Sequence, residues 1–463
     1  MYASNECRGH LPPRDRTSAQ VIIVGASLSG LQAAFQLQQA GLTCLVLEAE
    51  NVIAPEGAHI AGEIVHSTTQ PRTCQLARDL GVDLTTRQGS GRDVIEGFGA
   101  SDKDGIPQLV DNDRRSFARV RNNIESLCDK VDVNRPAYLY PNYGTMSVDE
   151  AFVSQGATPT VQQLANAWTL SSFGLASKDI SALHFLLYCK SVGGLTRMLA
   201  NLAGGGQNMW LPGGHGRLRE ELLIRLAPNT VCLSQEVTHI EQSTEKCVLL
   251  SASGVVFQCS RVILADPLIC SSTEMIPPLS DDKQWLRSDF MQGSCASITL
   301  AYQQPWWRQL GYSGHAIGLH GPVTMVNDTS CDVDGRYSLT CTLPGGEFEE
   351  KTRTMGAALR QSVSDQMKTI FGSGVPSPNH VFVPSLTSGT WVPRRKRLAI
   401  PANRLFDLER DQWKPEGHIH FAGSETSFIW KGHTEGALAS GSRAAEEVMT
   451  SLVAVYGALE SKL

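Results

Sequence analysis

Val21-Ile22-Ile23-Val24-Gly25-Ala26-Ser27-Leu28-Ser29-Gly30-Leu31-Gln32-Ala33-Ala34 is the stretch whose reading decides the fold. Its short β-branched run reads as a buried parallel strand. Gly25 permits a tight turn, and Leu28 to Ala40 carries helix formers with apolar residues on one face until Gly41 ends it. A second apolar strand, Thr43 to Leu47, stops at Glu48. Backbone N–H groups and the dipole at a helix N-terminus bind a pyrophosphate. Gly25, Ala26, Ser27, Ser29 and Gly30 are therefore expected to cradle one. Gly30 lets helix and strand approach closely, and Glu48, with Ala49 beside it, is placed for the ribose hydroxyls. Ser27 stands where the G-x-G-x-x-G pattern has its middle glycine. Its hydroxyl is expected to be available to phosphate.

FAD and NAD both use such a cradle, so the cofactor is decided at the other end of the chain. His418-Ile419-His420-Phe421-Ala422-Gly423-Ser424-Glu425-Thr426 reads as a strand running into a polar turn. Trp430-Lys431-Gly432-His433-Thr434-Glu435-Gly436-Ala437 follows, then a helix from Leu438 to about Leu452. A second helix start, with Gly423 and Glu425 before it, is a second clamp for a long cofactor. A flavin needs one; nicotinamide cofactors usually do not.

From Phe421 to Ala445 the chain resembles the flavin-containing amine oxidase superfamily, which includes monoamine and polyamine oxidases, in its F-A-G-[ST]-E-T and W-x-G-x-x-E-G-A patterns. Weaker likenesses follow in order: Ala61-Gly62, Pro212-Gly213-Gly214, Gln235-Glu236-Val237, Arg261 to Ala265, and Pro305-Trp306-Trp307. The resemblance implies an α/β chain. A Rossmann-like FAD-binding domain (19–110, 205–290, 400–455) would be interleaved with a mixed sheet-plus-helices substrate domain (111–204, 291–399), with tails at 1–18 and 456–463. It also implies that Val237 meets adenine through its backbone and that Thr434 and Glu435 join the cofactor site. Trp430, Phe428 and Trp391 would shape the substrate cavity.

Certain family features are replaced. The lysine that the family carries on a substrate-domain strand, holding water at the flavin, falls on Ser297. One wall of its aromatic cage falls on His433. No aromatic residue occurs from Val392 to Pro401, which holds Arg394-Arg395-Lys396-Arg397 instead, read as a solvated loop. Ala49 to Gly57 offers no Arg for the diphosphate. No Cys follows Cys341, so FAD is expected to be bound non-covalently. These changes point to a retained flavin and an altered substrate site, with His433 and Ser297 as catalytic candidates. The expected activity is hydride transfer from a small amine or related substrate to FAD, with O2 as oxidant and hydrogen peroxide as product. The alternative is a dehydrogenase, desaturase or isomerase acting on a non-amine.

Composition bounds the rest. At 463 residues the chain has material for two or three domains. Its net charge of −6 disfavours nucleic acid as a partner. The twelve cysteines include no C-x-x-C pair, so no metal site is expected. No run of eighteen apolar residues predicts a membrane span, and Met1 to Gln20 lacks a secretory h-region. The terminal Ser461-Lys462-Leu463 reads as an address for the peroxisomal import receptor. The expected location is the peroxisome, otherwise the cytoplasm.

Overall fold

The computed structural model describes residues 17–51, 53, 63–86, 91–101, 108–133, 141–202, 208–265, 272–281, 283–284, 290–332, 335–344, 348–383, 395–401 and 413–460. A five-stranded sheet runs in the order Ile419–Phe421, Arg261–Leu264, Val21–Val24, Cys44–Leu47, Val231–Cys232. Every pairing in it is parallel. Parallel strands are covered on both faces, and the first strand divides its side chains accordingly. Val21 and Ile23 enter a core shared with the helices Leu28–Gln39, Gly214–Arg225 and Thr434–Glu460. Ile22 and Val24 face a four-stranded sheet that includes Val237–Gln242 and Cys247–Ser251.

The second half is a mixed eight-stranded sheet centred on the long strand Met291–Tyr302. On one side Ile298, Leu300 and Tyr302 share a core with Val363 and Met367 of the helix Phe348–Phe371. On the other side lie the helices Asp111–Lys130, Val148–Ser154, Pro159–Phe173 and Ala182–Ser191. Two expectations need correction. Arg92–Ile95 and Gly99–Ala100, assigned above to the FAD half within 19–110, extend this second sheet, because Arg92–Ile95 pairs in parallel with Tyr312–Ile317. The basic run at 394–397, read as a solvated loop, instead enters a strand, Arg395–Ala399, whose backbone pairs antiparallel with Met291–Cys295.

Candidate active site

Three strand ends of the parallel sheet, Val24, Leu264 and Phe421, lead into the turns where open α/β sheets bind ligands. Gly25 turns with φ +103°, a conformation that favours glycine. At Gly30 a Cβ would lie 2.3 Å from Gly25 O and 2.8 Å from Ala265 Cβ, so only glycine brings the first helix this close to the sheet. Ser27 caps that helix, accepting from Gly30 N at 3.3 Å. Its hydroxyl, expected to face phosphate, turns inward and donates to Ala265 O at 3.1 Å; Ser29 Oγ donates to the same oxygen at 3.0 Å. The backbone N–H groups of the cradle therefore remain its means of meeting a phosphate.

Glu48 accepts from Ala26 N at 2.7 Å through Oε2 and from Glu50 N at 3.1 Å through Oε1. An ionised carboxylate accepts about four hydrogen bonds, so capacity for a ribose diol remains. Ala49 lies exposed beside it. Gln235 N bonds to Glu48 O at 2.8 Å and carries the chain on to Val237, whose carbonyl accepts from Thr273 Oγ1 at 2.9 Å. The N-terminal helix crosses the terminal helix where a Cβ on Gly441 would stand 2.3 Å from Ser29 O. Thr434 lies seven residues earlier in the terminal helix, about 10 Å along its axis. The two helix starts are thus separated by a span suited to an extended dinucleotide. The donors, the acid and the glycine-dependent approach fit FAD.

The second helix start is organised by two glutamates. Glu63 accepts from Thr434 Oγ1 at 2.8 and 3.0 Å and from His215 N at 3.2 Å, tying together the starts of Gly214–Arg225 and Thr434–Glu460. Glu435, expected to join the cofactor site, is fully buried. It accepts from Thr73 N and Thr73 Oγ1, each at 2.8 Å, and from Arg72 N at 3.2 Å. It thereby caps the helix Pro71–Asp79, whose own N-cap residue Gln70 makes no side-chain cap. That is a correction: Glu435 faces protein donors. Gly423 N donates to Ser440 Oγ at 3.1 Å, holding the strand end on the terminal helix. Glu425 follows, and its carbonyl accepts from Lys431 Nζ. Burial pushes the Lys431 ammonium down to about 8; Glu425 opposes the shift and Arg443 adds to it.

The turn before the terminal helix docks on the other half of the molecule. Trp430 adopts φ +48°, rare for a bulky residue. Its backbone N donates to Ser191 O at 2.8 Å, its Nε1 to Thr69 O at 2.7 Å, and Lys431 N to Ser191 Oγ at 3.2 Å. His433 Nε2 lies 3.0 Å from Tyr188 Oη, with the rings stacked at 5.9 Å. Trp430 meets His433 edge-on at 5.4 Å and stacks on His66 at 5.7 Å; Phe173 meets Tyr188 at 4.7 Å. His433 is thus one member of an aromatic group drawn from both halves.

Other expected residues disperse. Phe428, expected beside Trp430, packs with the core behind the parallel sheet, while Trp430 joins the helical core. Ser297 lies opposite Thr342 on the long strand, facing away from the buried Ile298. It shares the face of Cys295, whose Sγ donates to Leu170 O at 3.5 Å, and no hydrogen bond joins it to His433 among the described residues. Trp391 and the tripeptide Ser461-Lys462-Leu463 lie outside the described residues. Tyr188, Glu63 and Lys431 were not singled out from sequence. Glu63 directly follows the flagged Ala61-Gly62, and Lys431 sits inside the flagged W-x-G-x motif; Tyr188 had no local signal.

This arrangement defines a two-part flavin-binding oxidoreductase, with a Rossmann-like half and a sheet-and-helix half meeting at the start of the terminal helix. The chain belongs to the flavin containing amine oxidoreductase family, whose model matches residues 56–449. It is 28% identical to a provisionally assigned flavin-containing monoamine oxidase, AofH, of Mycobacterium tuberculosis, covering 94% of this chain and 97% of that one. It is 24% identical to amine oxidase [flavin-containing] B of Homo sapiens, over 93% of this chain and 86% of that one. The fold is similar to that of a putrescine oxidase bound to putrescine (TM-score 0.82, 21% identity, 94% and 99% covered). Cyclohexylamine oxidase of Brevibacterium oxydans is similar to the same degree (TM-score 0.82, 20% identity). The chain is therefore an enzyme of the flavin amine oxidase class, and its cofactor is a flavin.

Proposed function

We propose that the protein oxidises a small amine or a related compound, holding FAD non-covalently between the Gly25–Gly30 turn and the start of the terminal helix. When bound, FAD would supply the redox chemistry, namely hydride acceptance from the carbon beside the substrate nitrogen and reoxidation by O2 with hydrogen peroxide as product. The amides of the first helix would hold the diphosphate, Glu48 the ribose, and the backbone around Gly423 and Thr434 the far end of the cofactor. Tyr188 and His433 would orient the substrate nitrogen or hold a proton released from it. Family membership, the named amine oxidases among its relatives and the absence of any Cys after Cys341 support this reading.

One observation carries it: the close approach of the first helix to the sheet at Gly30 and its crossing with the terminal helix at Gly441, which bring both clamps to the strand ends of one parallel sheet. The purified protein is expected to be yellow, to release its flavin on acid precipitation, and to produce peroxide with primary amines. A colourless protein that stays colourless in excess FAD rules the reading out.

Ser297 favours a second reading. Lacking a lysine at that place, the site could serve a non-amine dehydrogenase, desaturase or isomerase with His433 as acid or base. Anaerobic bleaching of the flavin by non-amines, with no bleaching by amines, would select it. The final tripeptide leads us also to propose peroxisomal import. Fusing the chain behind a fluorescent protein, with and without Ser461-Lys462-Leu463, tests this: equal distributions of the two would end the idea.

A further inference from the structure

Two cysteines with no part in the candidate site face each other in the nucleotide half. Cys247 opens the strand Cys247–Ser251, Cys259 closes the neighbouring strand Val256–Cys259, and the antiparallel register sets them directly opposite. Ser251 N donates to Val255 O at 3.0 Å where this hairpin turns. Pairs alternate in kind along such a ladder, so Leu249–Phe257 and then Cys247–Cys259 are hydrogen-bonded pairs, with Cα atoms about 5.5 Å apart. A disulfide accepts Cα separations of roughly 4.4–6.8 Å. Both side chains point into the core that also holds Leu249 and Phe257, Cys247 being 0% and Cys259 5% exposed.

The two thiols are also set apart chemically. A hydrogen bond from Cys259 holds the Cys247 thiol below its usual range against burial, with the charge of Arg261 assisting. The same bond, together with burial, pushes Cys259 up. Arg261 is itself buried; it donates to Ser451 Oγ at 2.9 Å and Ser260 O at 2.7 Å, and forms no ion pair with a carboxylate among the described residues. An attacking thiolate and a neighbouring thiol to resolve it are what a reversible dithiol needs. Val256–Cys259 is the edge strand of its sheet, bonded on its outer side to Thr17 O and Ala19 N through Gln258. Local opening of an edge costs less than unfolding the protein and admits a small neutral oxidant.

We propose that Cys247 and Cys259 form a peroxide-reactive site that closes to a reversible disulfide. Cys247 sulfur attacks one peroxide oxygen, the O–O bond breaks, and hydroxide leaves to take up the thiol proton as water. Cys259 sulfur then attacks the Cys247 sulfenic acid, forming the S–S bond and releasing a second water. Two thiols and one hydrogen peroxide thus give one disulfide and two waters. The oxidase reading above supplies the peroxide in place, while the site itself needs only the oxidant.

Cleavage after Lys246 and Arg261 places both cysteines in one peptide, 247–261, so the bond reads as a loss of two hydrogens with neither thiol alkylated. Reduced protein is treated with hydrogen peroxide, blocked with N-ethylmaleimide and mapped without reductant. This change is expected at least tenfold faster than oxidation of Cys295 or Cys331, the less buried thiols among the described residues, and dithiothreitol should reverse it. Cys259→Ser should instead leave a Cys247 sulfenic acid that dimedone traps, and Cys247→Ser should leave Cys259 reduced. A pair that stays alkylatable, or that reacts after Cys295 or Cys331, would overturn the proposal. Should added peroxide close the bond while incubation with amines in air yields neither bond nor peroxide, the oxidase reading fails and the site stands.

Discussion

The two halves of this molecule build their sites from different material. The nucleotide half works through backbone: N–H groups at helix starts, a left-handed glycine, and two glycines that let a helix reach a sheet and another helix. Its information is local, so a fourteen-residue stretch announces it. The substrate half works through side chains delivered from remote segments. Tyr188 and His433 are 245 positions apart. Backbone sites tolerate sequence drift at most positions and none at a few. Side-chain sites can be rewritten one residue at a time, and here His433 and Ser297 stand where the resemblance would place an aromatic residue and a lysine.

The comparison is broken most forcefully at the two close approaches that need glycine. Gly30→Leu places a branched side chain where a Cβ alone meets Gly25 O at 2.3 Å, and Gly441→Leu does the same against Ser29 O. Backbone cannot move aside as a flexible side chain can, so each variant is expected to lose bound flavin and most soluble yield. Flavin absorbance per mole of protein measures this. Recovery of a fully yellow, soluble Gly30→Leu would mean that the cradle does not depend on close approach.

Glu435 tests whether a motif residue can serve the site purely by organisation. Its carboxylate satisfies two amides at the start of Pro71–Asp79 together with the Thr73 hydroxyl. Glu435→Ala leaves these donors buried without an acceptor and is expected to cost about 2–4 kcal/mol in denaturant unfolding; Glu435→Gln should cost about half that. Retained stability in the alanine variant would return Glu435 to the cofactor side.

Lys431 gives the next effect, read through pH. Its ammonium titrates near 8 in the folded protein and near 10.4 in an unfolded chain. Between those values the unfolded state binds more protons, so this group makes stability rise with pH. Below about 8 both states are protonated and the burial penalty is present in full. Lys431→Met should remove the rise between pH 8 and 10 and stabilise the neutral-pH protein by on the order of 1–2 kcal/mol. Unfolding midpoints across pH check it, and parallel pH profiles of wild type and variant would count against it.

What the sequence made legible follows the same division. The strand, turn, helix and acid from Val21 to Glu48 stand as read, because β-branched runs and glycine positions act on the local backbone. Ser27 was misread because the acceptor for its hydroxyl, Ala265 O, lies 238 residues away. Arg92–Ile95 falls in the other half from the one its range 19–110 was assigned to, because its pairing partner, Tyr312–Ile317, lies more than two hundred residues on. Phe428 and Trp430, two residues apart, part company because Trp430 takes a left-handed turn that no local pattern announces. Tyr188 lies within Ala182–Ser191, a helix buried almost all round, where periodicity offers no contrast to mark a functional side chain.

Tyr188 also supplies the smallest and sharpest test. Its hydroxyl reaches His433 Nε2 at 3.0 Å, while its ring is held independently by Phe173 and by stacking on the imidazole. Tyr188→Phe keeps the ring contacts and removes only the hydrogen bond, so folding stability should change by less than about 1 kcal/mol. If the pair orients substrate or steers a proton, kcat/KM should fall about tenfold, equivalent to 1.4 kcal/mol in the transition state, and the pH–rate profile should shift with loss of the Tyr188–His433 hydrogen bond. His433→Gln made in the Tyr188→Phe background should then cost less than it does alone, because two residues acting as one unit are not additive. Additive losses, with an unmoved pH profile, would show Tyr188 to be packing alone.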